Sequence, residues 1–104
     1  MSLSTMTFFE RFENDILAGK KTITIRDANE CDYAPGSIVD VATFEQGRGF
    51  CRLQIKSVTP IQFADLTDFH AVQENMTLPV LKQVISDIYP DVSQLFVIEY
   101  QLVD

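Results

Sequence analysis

A glycine, Gly19, followed closely by the alternating run Thr22-Ile23-Thr24-Ile25-Arg26 constrains this chain more than any other segment. Upstream, Phe8, Phe9, Phe12, Ile16 and Leu17 recur at helical spacing, and a glycine closing such a run supplies the left-handed turn that stops a helix. Thr7 and Glu10, three residues apart, read as a capping box that opens this helix. Downstream the period changes to two. Ile23 and Ile25 then take one face of a strand, and Thr22, Thr24 and Arg26 the other. Lys21 has the wrong parity to join Thr24 and Arg26 on a regular strand, so it can reach them only if it still belongs to the turn after Gly19.

The remaining elements follow from similar signals. Asp27 to Ser37, with Pro35-Gly36, reads as loop and turn; Ile38 to Phe44 and Phe50 to Val58 read as strands joined by Glu45-Gln46-Gly47-Arg48-Gly49 into a hairpin. Cys51, Leu53 and Ile55 face a core while Arg52, Gln54 and Lys56 face away, and Pro60 closes the strand. Ala64 to Glu74 reads as a helix. Thr77 caps another, with Leu78, Leu81, Ile85 and Ile88 on one face, Pro79 in the first turn and Pro90 past the end. Leu95 to Val103 forms a last strand in which Phe96, Ile98, Tyr100 and Leu102 share a face. No βαβ unit repeats, so the order predicts an α+β domain with a mostly antiparallel sheet. A length of 104 residues with 46% hydrophobic content gives room for one core, hence one domain over residues 1–104.

Fifteen acidic against eight basic residues give a formal charge of −7, which repels a polyanion unless the positive charges cluster. Arg11, Lys20, Lys21 and Arg26 fall in the first quarter and Arg48, Arg52 and Lys56 around the hairpin, so either a local basic rim or scattered solvated charge fits. No apolar run spans a bilayer, and Met1 to Met6 lack the features of a signal peptide, which predicts a cytoplasmic protein with no membrane partner. Cys31 and Cys51 are expected to remain thiols, Cys51 in the core and Cys31 in a loop.

The segment Gly19-Lys20-Lys21-Thr22-Ile23-Thr24-Ile25-Arg26 gathers amines, hydroxyls and a guanidinium within one turn and strand, a concentration that folding alone does not require. It resembles the signature of the ASCH domains, a PUA-like superfamily of small β-barrels, written G-x-K-x-x-E-x-R, with Thr24 at the glutamate position. That threonine, with Phe8-Phe9-Glu10-Arg11-Phe12 and Gln73-Glu74-Asn75-Met76-Thr77-Leu78, is similar to one branch, the small bacterial N4-acetylcytidine amidohydrolases. The resemblance runs from about Thr7 to Tyr100. It implies a mostly antiparallel β-barrel with flanking helices, and catalytic roles for Lys21, Thr24 and Glu74 on a small nucleoside substrate without obligatory nucleic acid.

Amide hydrolysis needs a nucleophile, a group to take its proton, a group to return one to the leaving amine, and donors for the oxyanion. On the resemblance, Thr24 attacks the acetyl carbonyl, Lys21 accepts its proton and Glu74 orients the site or shuttles protons. Lysine can act so only if burial or cations such as Lys20 and Arg26 lower its pKa, whereas an ionised Glu74 opposes that shift. Which of Lys21 and Glu74 holds the proton at rest stays open. No metal or other cofactor is expected, since one histidine and two unmatched cysteines do not make a typical zinc set. Arg26 and Lys20 are the expected substrate-binding residues, with pairing to Asp27 or Glu99 the structural alternative for Arg26.

Each residue also has a plain structural explanation. Threonine suits a strand, Lys20 and Lys21 suit a helix end, and Glu74 suits an exposed helix terminus. His70 reads as exposed or capping, and Phe8, Phe9 and Phe12 as core. Substitution of the polar three is expected to leave thermal stability nearly unchanged. A monomer is expected. The competing function is a non-catalytic RNA-binding PUA-like module, against which the net charge counts.

Overall fold

The computed structural model describes residues 3–103, so Met1, Ser2 and Asp104 of the expected 1–104 domain lie outside the described residues. The chain does not begin with a helix. Thr5–Phe8 forms strand β1, a 3₁₀ turn covers Glu10–Phe12, and only Glu13–Leu17 is helical, as α1. The Thr7–Glu10 capping box expected from the sequence does not form, and the Glu10 amide donates instead to Glu45 Oε1 at 2.9 Å. The reason is periodicity of the other kind: Met6 and Phe8 alternate with Thr5 and Thr7, and both are buried. Pairing β1 with the hairpin covers those two side chains, and the backbone follows.

Ile23–Arg26 is β2, as the alternation predicts. Ile38–Thr43 and Gly49–Gln62 are β3 and β4, joined through Gly47 at φ 68°, a left-handed position that glycine takes without strain. β4 runs on through Pro60, beyond the stop expected there. By that point β5 (Gln94–Leu102) is its only strand partner among the described residues, since pairing with β3 ends at Gln54, and a residue without an N–H is tolerated in such a position. An irregularity between Ile55 and Ser57 lets β4 serve β3 with its first half and β5 with its second. The expected helix from Ala64 to Glu74 is divided into a 3₁₀ turn, Phe63–Asp65, and α2, Asp68–Gln73. Thr67 divides it, capping α2 with the His70 ring, whose Nδ1 accepts the Thr67 N–H at 3.1 Å. α3 is Leu78–Ile88, behind Thr77 and with Pro79 in its first turn.

The five strands form one mixed sheet in the order β1-β3-β4-β5-β2, with β1 parallel to β3 and the other pairs antiparallel. β1 and β2 lie at its two ends. Among the described residues no strand ladder joins them, so the sheet is not closed into the expected barrel. Opposed residues of an antiparallel pair share a face, so the pairing of Thr24 with Ile98 turns Thr24 toward the core of Met6, Phe8, Val39, Val41, Leu53, Ile55, Ile98 and Tyr100. Ile23, Ile25 and Leu95 occupy the other face beneath Leu66, Ala71, Leu81 and Ile85 of the helical side. Burial of each large side chain contributes about 1.5–3 kcal/mol, which fixes the register and with it the direction of Thr24.

Candidate active site

Lys21 lies in the reversal ahead of β2. Gly19, at φ 74°, turns the chain, and the Asp15 carbonyl accepts from both the Lys20 and Lys21 amides, at 2.9 and 3.1 Å. This releases Lys21 from strand parity, meeting the requirement read from the sequence. Its carbonyl accepts from the buried Tyr100 hydroxyl at 3.0 Å. The next residue, Thr22, donates its N–H to the Gln73 carbonyl at 2.8 Å, tying the start of β2 to the end of α2.

Glu74 follows immediately as the C-cap of α2, with Asn75 at φ 58° reversing the chain and the Met76 amide returning to Ala71 at 2.8 Å. A carboxylate at a helix C-terminus meets an unfavourable dipole. Here it contacts the Lys21 ammonium position directly, and Lys21 Nζ also donates to the Ile23 carbonyl at 2.8 Å. Lys21 is 4% exposed, Glu74 5% and Thr24 5%, so the exposed helix-end explanation fails for Lys21 and Glu74. Burial pushes the Lys21 pKa well down, the Arg26 guanidinium pushes it further, and Asp15 opposes the shift. Nζ also lies 5.2 Å from the Phe12 ring centre and 5.6 Å from that of Phe8.

Thr24 Oγ1 accepts from Arg26 Nε at 2.9 Å. Arg26 also donates from Nη2 to the Thr7 carbonyl of β1 at 2.7 Å and from Nη1 to Glu30 at 3.3 Å, and Glu30 in turn accepts from the Tyr89 hydroxyl at 3.0 Å. These groups border a cavity of about 430 Å³ at the β1–β2 seam, lined among others by Lys21, Thr24, Arg26, Glu74, Phe8 and Tyr89. That volume falls within the range of about 300–1,000 Å³ usual for small-molecule sites. Burial raises the pKa of Tyr33, Tyr89 and Tyr100, so these phenols stay protonated donors.

The ASCH domain model matches residues 4–77 of the sequence. The chain belongs to the ASCH domain family. It is 69% identical over 100 residues to the N(4)-acetylcytidine amidohydrolase of Vibrio atlanticus (strain LGP32), an alignment covering 96% of each chain. It is 54% identical over 102 residues to the protein of the same name from Shewanella baltica (strain OS155 / ATCC BAA-1091), covering 98% of this chain and 97% of that one. The fold is shared with the ASCH domain from Lactobacillus crispatus JV V101, at a TM-score of 0.79 and 14% identity over 97% of this chain and 80% of that one.

Within this ASCH chain, Lys21, Thr24, Glu74 and Arg26 meet at one cavity. Lys20 does not; it is exposed and absent from the cavity wall. Arg26 pairs with neither Asp27 nor Glu99 but with Glu30, because Glu99 opposes Ile23 and so faces the other side of the sheet. Among the described residues no hydrogen bond joins Lys21 directly to Thr24. Phe8 and Phe12 are core residues that also wall the cavity. Sequence reasoning missed Glu30, Tyr33, Met76, Tyr89 and the Thr7 carbonyl, which reach the site from separate segments and carry no local signal. Cys51 is half-buried with its thiol pKa pushed up to about 11 by burial, and Cys31 bonds locally to the Ala28 carbonyl.

Proposed function

We propose that the chain hydrolyses N4-acetylcytidine to cytidine and acetate, the activity by which its relatives are named, with Thr24 as nucleophile, Lys21 as base and Glu74 as the partner of that base. The observation that carries the reading is the convergence of these three buried polar side chains, from a turn, a strand and a helix end, on one cavity of nucleoside scale. Polar groups buried at such cost suit chemistry better than stability. Because burial and Arg26 lower the Lys21 pKa, this lysine gives up its proton more readily than an exposed one and can serve as the base for Thr24. The Thr24 oxygen then bonds to the acetyl carbon, the bond to N4 breaks, and N4 takes the proton that Lys21 accepted as cytidine leaves. Water attacks the acetyl ester, releasing acetate and restoring the hydroxyl. The mechanism requires Lys21 and Thr24 to come into direct contact as substrate enters, in the way that catalytic hydrogen bonds often tighten only in the Michaelis complex. Glu74, in contact with Nζ, compensates the charge that develops on Lys21.

The RNA-module reading has less support, because Arg26 and Arg48 are already paired, with Glu30 and Glu13, and Lys21 is buried against Glu74. Phosphate contacts require free cations. The same proposal takes residues 1–104 as one ASCH domain, a cytoplasmic monomer, and treats the sheet as a partial barrel whose seam the Arg26 side chain spans. No helix among the described residues is long and apolar enough to cross a membrane. Purified protein incubated with N4-acetylcytidine tests the function: cytidine should appear in step with acetate, and its absence under any condition that preserves the fold would refute it.

A further inference from the structure

The placement of Arg26 is more specific than binding a substrate requires. Its side chain is only 12% exposed, and its guanidinium carbon lies 5.1 Å from the centre of the Phe8 ring. Three of its nitrogens are engaged by three different elements: Nε by Thr24 on its own strand, Nη2 by the Thr7 carbonyl of β1, and Nη1 by Glu30 in the following loop. Tyr89, just past α3, holds Glu30 in turn. Nε carries a single N–H, and that one is spent on the Thr24 hydroxyl oxygen.

We infer that Arg26 is a positioning residue for Thr24: clamped across the β1–β2 seam by Glu30 and the Thr7 carbonyl, it aims the threonine hydroxyl into the cavity. The inference rests on the reading of Thr24 as nucleophile. Arginine offers no acceptor, so an oxygen that takes its N–H cannot return its own proton there. The Thr24 proton therefore points elsewhere, and Lys21 is the base that lines the same cavity. A charged donor on the oxygen also eases its deprotonation. The same guanidinium opposes protonation of Lys21, so one residue prepares both partners of the proton transfer. The charged and titratable groups facing Lys21 are Glu74 after α2, Asp15 of α1, Arg26 of β2 and the Tyr100 phenol of β5. Replacing Arg26 removes one of them and relieves its downward pull on the Tyr100 phenol, which then stays all the more firmly protonated and neutral.

Arg26→Lys and Arg26→Gln separate geometry from charge. Arg26→Lys keeps the charge and loses the planar fork, so kcat should fall about 10- to 100-fold with KM nearly unchanged, and the acid limb of the kcat/KM profile should stay in place. Arg26→Gln should lose at least as much, and its acid limb should move to higher pH, because without the cation Lys21 keeps its proton longer. A ¹³C NMR titration of the Lys21 side chain should report the same upward shift without any turnover. If either variant melts, Glu30→Gln loosens the clamp without touching Thr24 and should lower kcat about tenfold at constant KM. Parental kcat in these variants, or a raised KM at unchanged kcat, would overturn the inference and make Arg26 a bystander or a substrate contact. Thr24→Ala measured in parallel tells the two failures apart, since parental turnover there would remove the nucleophile reading itself.

Discussion

Replacing Glu74 by alanine should expose how the site is built into the fold. The carboxylate contacts Lys21 Nζ in a region where both side chains are almost wholly buried. Its removal leaves the amine, among the described residues, with the backbone carbonyl of Ile23 as its remaining hydrogen-bond acceptor. A buried donor left unpaired costs about 1–3 kcal/mol, and a stranded buried charge about 3–5 kcal/mol. Which figure applies depends on pH. Burial holds the folded-state pKa of Lys21 well below its ordinary 10.5, so between the folded and unfolded values the unfolded chain binds more protons. Stability therefore rises with pH across that window and falls as pH drops toward the folded value. Glu74→Ala should cost the smaller amount on the alkaline side, where the amine is neutral, and approach the larger amount below the folded pKa. The upper edge of the window is the ordinary lysine value of about 10.4, and its lower edge is the depressed folded-state value. Urea unfolding at a series of pH values checks this. With a slope of about 1–3 kcal/mol per molar, a cost of 3 kcal/mol moves the midpoint by about 1–3 M. The double variant Lys21→Met with Glu74→Ala should flatten the dependence, since the stranded charge is gone. A Glu74→Ala variant within about 0.5 kcal/mol of the parent at every pH would match an ordinary surface change and refute the argument. The outcome also bears on the expectation, read from the sequence, that substitutions in the polar three leave thermal stability almost untouched; burial argues the opposite for this pair.

Thr24→Ala should abolish cytidine release while Thr24→Ser keeps part of it, because the hydroxyl is the reacting group and the methyl is not; near-parental turnover by the alanine variant in folded, clean protein would point to a directly activated water. Lys20→Ala should leave kcat/KM within about twofold of the parent, as expected of a surface substitution at a side chain outside the cavity wall, and a loss of tenfold or more would return Lys20 to the site. Exhaustive chelation should leave turnover unchanged, since the proposed nucleophile is a side chain; activity that returns only on adding zinc or manganese would overturn this.

Local chemistry was legible wherever one segment decided it. The stop at Gly19, the alternation that sends Thr24 and Arg26 to one face, and the α3 helix between Thr77 and Pro90 all follow from short-range patterns, and the structure keeps them. The motif around Lys21 pointed to the cavity for the same reason. Sequence reading went astray where two periods compete. Phe8 and Phe12 fit a helix, but Met6 and Phe8 also fit a strand, and only the presence of β3 as a partner makes the strand the lower-energy choice. Thr67 similarly ends one turn and caps the next helix, a decision made by its reciprocal contact with His70. The meeting of Lys21 with Glu74 was outside the reach of local pattern. It depends on the Thr22–Gln73 backbone bond and on the Asn75 reversal, which bring together residues 53 positions apart. The ring of groups around Arg26 is still more dispersed, drawn from β1, the loop after β2 and the residue past α3. Short-range pattern alone told which chemical groups the chain carries and, for β2 and α3, which way the element turns them. Tertiary structure decided which of those groups lose their water, and hence which lysine carries a lowered pKa, because desolvation is a property of everything packed around a side chain and of no single segment.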